Sequence, residues 1–439
     1  MAWGRRSLLR ALLLGLVAQL AVAHADAAAD ADVKAKADPA PAGSTEGLVY
    51  EAIDKQQVIT GNSTYAKPGK KPPMEGWWNS KICSGDFCVF TNRRHQKGRG
   101  LTMVTRFEDF QKMERTEEYL NKGENKVEEE GLFTETEVVD KGIGITATKN
   151  IRRGKKLMSW TPVMFVHQDL FTEVKKKSDR RRLLEAAVAY LPDETRAKFD
   201  RQRTQGLAPG GRSRSVEDII LGAPFEVNFG MEYNQEKHSR HYANYPEMAV
   251  VQHDCRPNMA YHIDSNFAVR VTVARRTQGG EELTIAYIDP LWPRYKRQAW
   301  VQKRRGLGKP CSCQKCSPKG GDEELKKSDQ RVQRIEEILA ELKNHDSKIV
   351  TEEMIDEFLA LVDQERMHAK LADFYENAAL NYNYLGFDVK AKKYADLAVQ
   401  AGIVEDGPDS NNVIANRIFA SDIKGHFSYR FTLKRRGQK

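Results

Sequence analysis

Three cysteines, Cys311, Cys313 and Cys316, fall within six residues, and they restrict the fold more than any other feature of this chain. Thiols this close in sequence converge on one metal ion more easily than they find three separate disulfide partners. A closed tetrahedral site takes four thiolates. Cys255 stands alone in the sequence and supplies the fourth, so the expected ligand set is Cys255, Cys311, Cys313 and Cys316 on a structural zinc. Disulfides among these four are the alternative, because the chain also begins like a secretory precursor. Cys83 and Cys88 form a separate group, readable as a local disulfide or as two free thiols.

The N-terminus supplies that second constraint. Arg5 and Arg6 precede an apolar run over residues 8–23, and Ala21-Val22-Ala23 is a small-residue cleavage site. The pattern predicts a signal peptide over 1–23. The run is short for a membrane helix, which needs about 20 apolar residues, with an uncleaved anchor as the alternative. The mature chain is expected to have no membrane span and to be secreted or held in the secretory pathway, or to be cytosolic or nuclear if the signal is not used. Residues 24–75 are rich in Ala, Asp, Lys and Pro and predict a flexible linker, with a glycosylation sequon at Asn62-Ser63-Thr64. The balance of 70 basic against 61 acidic residues gives only +9 over 439 residues. That excess is too small to point to direct nucleic-acid binding. The oligomeric state is left open, with a monomer expected.

Beyond the linker the chain divides by hydrophobic period. Residues 76–130 form a flanking region with aromatic residues around Cys83 and Cys88. Residues 131–290 are rich in strands, with a helical insert at about 165–235. Within them Phe267, Val269, Val271 and Val273 alternate at period two, and Leu183, Leu184, Ala187, Val188 and Leu191 share a helix face that stops at Pro192. Lys175–Lys177 and Arg180–Arg182 read as a solvated helix face, with a nuclear signal or a substrate patch as the alternative. Residues 291–318 carry the clustered cysteines. Residues 322–405 form a helical domain, with an apolar stripe of Val332, Ile335, Ile338, Leu339 and Leu342 and with Thr351 placed to cap the next helix. Residues 406–439 are expected to be a tail, basic and mobile after Gly425.

Three stretches carry the chemistry: Lys141-Gly142-Ile143-Gly144, then Gln252-His253-Asp254-Cys255-Arg256-Pro257-Asn258, then Gly280-Glu281-Glu282-Leu283-Thr284-Ile285-Ala286-Tyr287. Followed by the cysteine cluster, this order resembles the SET-domain family over residues 130–318. The helical end resembles the C-terminal domain of SMYD-type and fungal SET proteins, and its hairpin resembles one tetratricopeptide repeat. The resemblance implies an α+β fold: a β-rich SET domain with a helical insert, a zinc-binding post-SET segment and a helical C-terminal domain.

It also implies a function, S-adenosylmethionine-dependent methyl transfer to a lysine of a protein substrate. Lys141, Gly142, Ile143 and Gly144 match the loop that touches the methionine part of the donor, and glycines there let the backbone approach a ligand. Gln252 stands where the family has an asparagine that bonds the amino-acid end. His253 matches the residue whose backbone meets the adenine, with a satisfied buried imidazole as the alternative. Asn258 matches a structural tie between chain segments. Tyr287 matches the catalytic tyrosine and is expected to contact both donor and amine. Glu281 and Glu282 read as turn and strand-start residues. Lys309 replaces an aromatic cover for the adenine, with Leu307 as a weaker substitute. A dinucleotide-binding reading fails, because no G-x-G-x-x-G is present. Two other classes stay open: a non-catalytic SET module that binds protein or peptide, and a secreted disulfide-rich effector without zinc.

Overall fold

The structure is a computed structural model and describes residues 76–112, 123–138, 141–205, 213–222, 225–229, 239–304, 310–317, 321–435 and 437. The expected signal, linker and sequon, and Leu307 and Lys309, lie outside the described residues.

In chain order the strands are β1 (Trp78–Ser84), β2 (Phe87–Asn92), β3 (Leu101–Arg106), β4 (Lys126–Val127), β5 (Phe133–Val138), β6 (Gly142–Ala147), β7 (Lys156–Trp160), β8 (Met164–His167), β9 (Glu226–Asn228), β10 (Arg240–Asn244), β11 (Gln252–His253), β12 (Met259–Ile263), β13 (Val269–Val273) and β14 (Thr284–Ile285). They form a six-stranded sheet of order β1-β2-β3-β8-β10-β9, a four-stranded sheet of order β12-β13-β7-β4, and the pairs β5-β6 and β11-β14. One apolar core joins them, including Phe90, Met103, Ile145, Phe165, Val269, Val271 and Ile285. The three valines of β13 are buried, as alternation requires. Phe267 departs from that pattern. It lies outside the strand at φ +56°, in a turn where its N–H donates to the Asp264 carbonyl at 2.9 Å. The Asp264 carboxylate accepts from the N–H groups of Asn266 and Ala268, so the turn chemistry of the aspartate overrides the period. Cys83 and Cys88 face each other across the β1-β2 hairpin and are disulfide-bonded.

Helix α1 (Phe107–Lys112) follows β3. Between β8 and β9 lie α2 (Leu170–Glu173), α3 (Lys177–Ala189), α4 (Asp193–Arg201) and α5 (Val216–Gly222). The basic run at the start of α3 is not all solvated. Arg180 is buried; its guanidinium reaches both carboxylate oxygens of Glu217, at 3.0 and 2.9 Å, and the Val174 carbonyl at 2.8 Å.

The remaining helices are α6 (Arg294–Arg304), α7 (Gly321–Lys343), α8 (Glu352–Gln364), α9 (Leu371–Tyr384), α10 (Asp388–Glu405), α11 (Asn411–Ser421) and α12 (Phe431–Arg435). The stripe Val332, Ile335, Ile338, Leu339, Leu342 packs against Ile355, Phe358, Phe374 and Ala378 in a second core. Thr351 caps α8 by accepting from the Met354 N–H. The expected tail over 406–439 is instead partly built into this domain. Ser410 caps α11, which buries Val413, Phe419 and Ala420. Asn383 reaches the Ile423 carbonyl at 2.9 Å and accepts from the Arg430 N–H at 2.8 Å. Interspersed asparagines dilute the period of α11, and the sequence reading missed it. Among the described residues no helix is long and apolar enough to cross a membrane.

Candidate functional site

Parallel pairing of β11 with β14 brings two of the three stretches together, with Gln252 opposite Thr284 and His253 opposite Ile285. Asn258 fastens the same joint. Its amide donates to the Glu282 carbonyl at 2.8 Å, and its oxygen accepts from the Thr284 N–H at 2.9 Å. The first stretch joins through Gln252, which is fully buried and donates from Nε2 to the Ile143 carbonyl at 2.6 Å. The longer arm of this glutamine thus reaches across to the glycine loop.

The loop itself is the start of β6, paired with β5 so that Gly142 opposes Val138 and Gly144 opposes Thr136. Gly142 takes φ +79°, a conformation that a side chain disfavours. A β-carbon added at Gly144 would lie 2.6 Å from a Val138 methyl, 3.4 Å from Gln252 Cγ and 3.7 Å from Glu282 Oε1. Only a glycine fits here, because the Val138 methyl already fills the space that a side chain would take. Lys141, just before the loop, pairs with Glu282 at 2.7 Å.

Tyr287 follows β14 and is half-buried. Its hydroxyl donates to the Val251 carbonyl at 2.5 Å, and its N–H donates to His253 Nδ1 at 3.1 Å. That second bond fixes the tautomer. With Nδ1 accepting, the neutral ring carries its proton on Nε2, which faces Cys255 Sγ at 3.4 Å. The His253 imidazole is therefore satisfied inside the protein, the alternative reading of that residue. An aromatic wall stands beside Tyr287. Phe225 packs edge-on against Tyr245 at 5.1 Å and Tyr261 at 5.2 Å. Burial, with Glu226 and Tyr287 nearby, pushes the Tyr261 phenol well above its usual range. The wall is apolar and its hydroxyls stay neutral. Sequence reasoning missed Tyr245 and Tyr261, because aromatics flanking a motif look like ordinary core.

Cys255, Cys311, Cys313 and Cys316 are all buried, with their sulfurs within 4.8 Å of one another. Cys255 and Cys316 lie 3.7 Å apart across 61 residues of sequence. Tetrahedral zinc at about 2.3 Å from each sulfur needs sulfurs roughly 3.8 Å apart. The four thiols fit such an ion. Hydrogen bonds from Cys311, Cys313 and Cys316 hold the Cys255 thiol well below the usual thiol range. Arg297, almost fully buried, donates to Cys316 Sγ at 3.6 Å and offsets thiolate charge. Trp292, Trp300, Ile288 and Val301 enclose the cluster.

A fold with these stretches tied into one joint defines a class. Residues 142–288 match the SET domain family, so the chain carries a SET domain; the cysteine cluster joins Cys255 within it to three cysteines beyond it, and a helical C-terminal region follows. No curated protein matches the chain.

Proposed function

We propose that the protein is an S-adenosylmethionine-dependent protein lysine methyltransferase of SMYD-like or fungal type, with Tyr287 at the reacting centre and a structural zinc on the four cysteines. One observation carries the reading: the glycine loop, the Gln252-His253 pair and Tyr287 are tied together by direct hydrogen bonds. The side-chain-free backbone of Gly142 and Gly144 supports placing the amino-acid end of the donor beside that loop. When bound, the donor supplies an electrophilic methyl group on a sulfonium.

The residues around it account for the rest. Only a neutral amine has a lone pair to attack, and a free lysine has a pKa of about 10.4. The aromatic wall of Phe225, Tyr245 and Tyr261 is suited to desolvate the amine and lower that value. The Tyr287 phenol orients the amine for in-line attack, so catalysis is mainly positioning. The helical domain, whose α9-α10 hairpin is tetratricopeptide-like, offers a surface for the protein substrate. We further place the protein in the secretory route, supported by the N-terminal apolar run and by the Cys83–Cys88 disulfide, which persists in oxidising compartments.

A second reading, a non-catalytic peptide-binding SET module, is favoured by the Gln252 amide being engaged by Ile143. The test is labelled donor with a protein array. Wild-type protein is expected to label a lysine-containing target, and Tyr287→Phe to lower the rate by roughly a hundredfold. Equal labelling by both would remove Tyr287 from its role. Absence of donor binding by titration calorimetry would favour the module.

A further inference from the structure

We propose that the basic run at the start of α3 is a docking surface for an acidic segment of a partner protein. The inference goes beyond methyl transfer and holds whether or not Tyr287 takes part in it. Lys175, Lys176, Lys177, Arg181 and Arg182 are exposed. Among the described residues the first four have no ion pair or side-chain hydrogen bond, and Arg182 donates only to the Cys83 carbonyl, at 2.9 Å. The carboxylates flanking the run are engaged elsewhere. Asp169 and Glu173 pair with Arg106 at 3.0 and 2.6 Å, Glu217 with Arg180 at 2.9 Å, and Glu185 with Arg203 at 2.8 Å. Within the run Asp179 is the one acidic residue, so five exposed cations stand against it.

This arrangement works against the helix that carries it. Cations at a helix start oppose its dipole, and Lys176 stands at the N-cap of α3 without a side-chain hydrogen bond to the helix. Lys177 and Arg181 lie four residues apart, a spacing at which like charges repel. The buried face of Leu183, Leu184 and Ala187 holds the helix in place regardless. Local rules broken together on one exposed face mark it for a partner. The fold also decides how the run is read. Arg180, in its middle, is buried and bonded to Glu217 and to the Val174 carbonyl. An extended basic peptide, as a linear nuclear signal requires, would need α3 to unwind. The exposed cations therefore act as a fixed face. The large hydrophobic side chains exposed among the described residues, such as Tyr295, Ile349, Val389 and Ile418, all lie in other elements. A membrane-binding face needs such residues to enter the lipid, and a single-strand nucleic-acid site needs aromatics for its bases to stack on. An acidic protein segment needs only matching charge, and it is the partner this face fits.

The test is fluorescence anisotropy of labelled octaglutamate with the full chain, and labelled octaglutamine is the uncharged control. Octaglutamate is expected to bind, and more weakly as salt rises from about 50 to about 150 mM. Combining Lys175→Gln, Lys176→Gln and Lys177→Gln should weaken it roughly tenfold, the sum of three exposed ion pairs. Taking the same charge from the exposed Lys97, Arg276 and Lys326, each changed to Gln, should weaken it by less than about twofold. A second measurement needs no variant: octaglutamate should protect Lys175, Lys176 and Lys177 of wild type from acetylation, read by mass spectrometry. Octaglutamine binding as well as octaglutamate overturns the proposal. So does equal weakening in the two triple variants, or acetylation of the three lysines at an unchanged rate. Tighter binding of duplex DNA or of phosphatidylserine vesicles at these lysines overturns it in favour of a nucleic acid or a membrane.

Discussion

Asn258 shows what one buried amide does in this fold. It is almost fully buried, and both ends of its side chain are engaged by backbone groups on the strand that leads to Tyr287. Asn258→Ala leaves a carbonyl and an N–H without partners in the interior. Each such group costs about 1–3 kcal/mol, so a loss of about 2–5 kcal/mol is expected by urea denaturation. A loss below about 1 kcal/mol would mean that the joint holds without it. Asn258 was legible in advance because it stands in a contiguous motif with His253 and Cys255. Lys141 with Glu282 was not, since the two lie 141 residues apart and charges carry no period.

At the scale of elements, strands and helices with strong periods were readable and those with diluted ones were not. The valines of β13 and the apolar stripe of α7 sit on their expected faces. Helix α11 escaped because asparagines occupy positions that a period reading needs to be apolar. The six-stranded sheet hides a feature of another kind, a polar seam between β3, β8 and β10. His241 is fully buried there, its Nδ1 donating to the Ser239 carbonyl at 3.0 Å and its Nε2 accepting from Thr105 at 2.7 Å. Burial, then the neighbouring His167, pushes its pKa down from 6.5 to about 3. Between pH 6.5 and 3 the unfolded chain binds a proton that the folded one does not. The contribution is therefore complete above pH 6.5 and is lost as pH falls. From pH 6.5 to 5 the loss from this residue is about 2 kcal/mol. His95 and His426, both pushed down to about 4 mainly by burial, act with the same sign. Denaturant melts at the two pH values should show the fall, and His241→Asn should flatten it. An unchanged slope in the variant would place the pH dependence elsewhere.

Over the whole molecule, one carboxylate couples the helical domain to the candidate site. Glu365, at the end of α8, is fully buried. It accepts from Arg256 at 2.9 Å, Lys315 at 3.2 Å, Arg331 at 2.7 Å and Ser328 at 3.0 Å. Arg256 is the neighbour of Cys255, and Lys315 the neighbour of Cys316. The carboxylate therefore grips, from a third segment, the residues beside two of the four thiols. Closing that thiol set requires two chain segments to stay in register, and Glu365 is placed to hold both. Removing one member of a buried ion pair costs about 3–5 kcal/mol, because the remaining charges are left unpaired. Glu365→Ala is expected to lose stability in that range. Glu365→Gln keeps the hydrogen-bonding shape without the charge and should lose less. The readout specific to positioning is the metal site: after cobalt substitution, the thiolate-to-metal absorption should weaken in Glu365→Ala and recover in part in Glu365→Gln. A chelator should release metal faster from the alanine variant than from wild type. If Glu365→Ala keeps the full cobalt spectrum while losing stability, the helical domain braces the fold without governing the cysteine cluster.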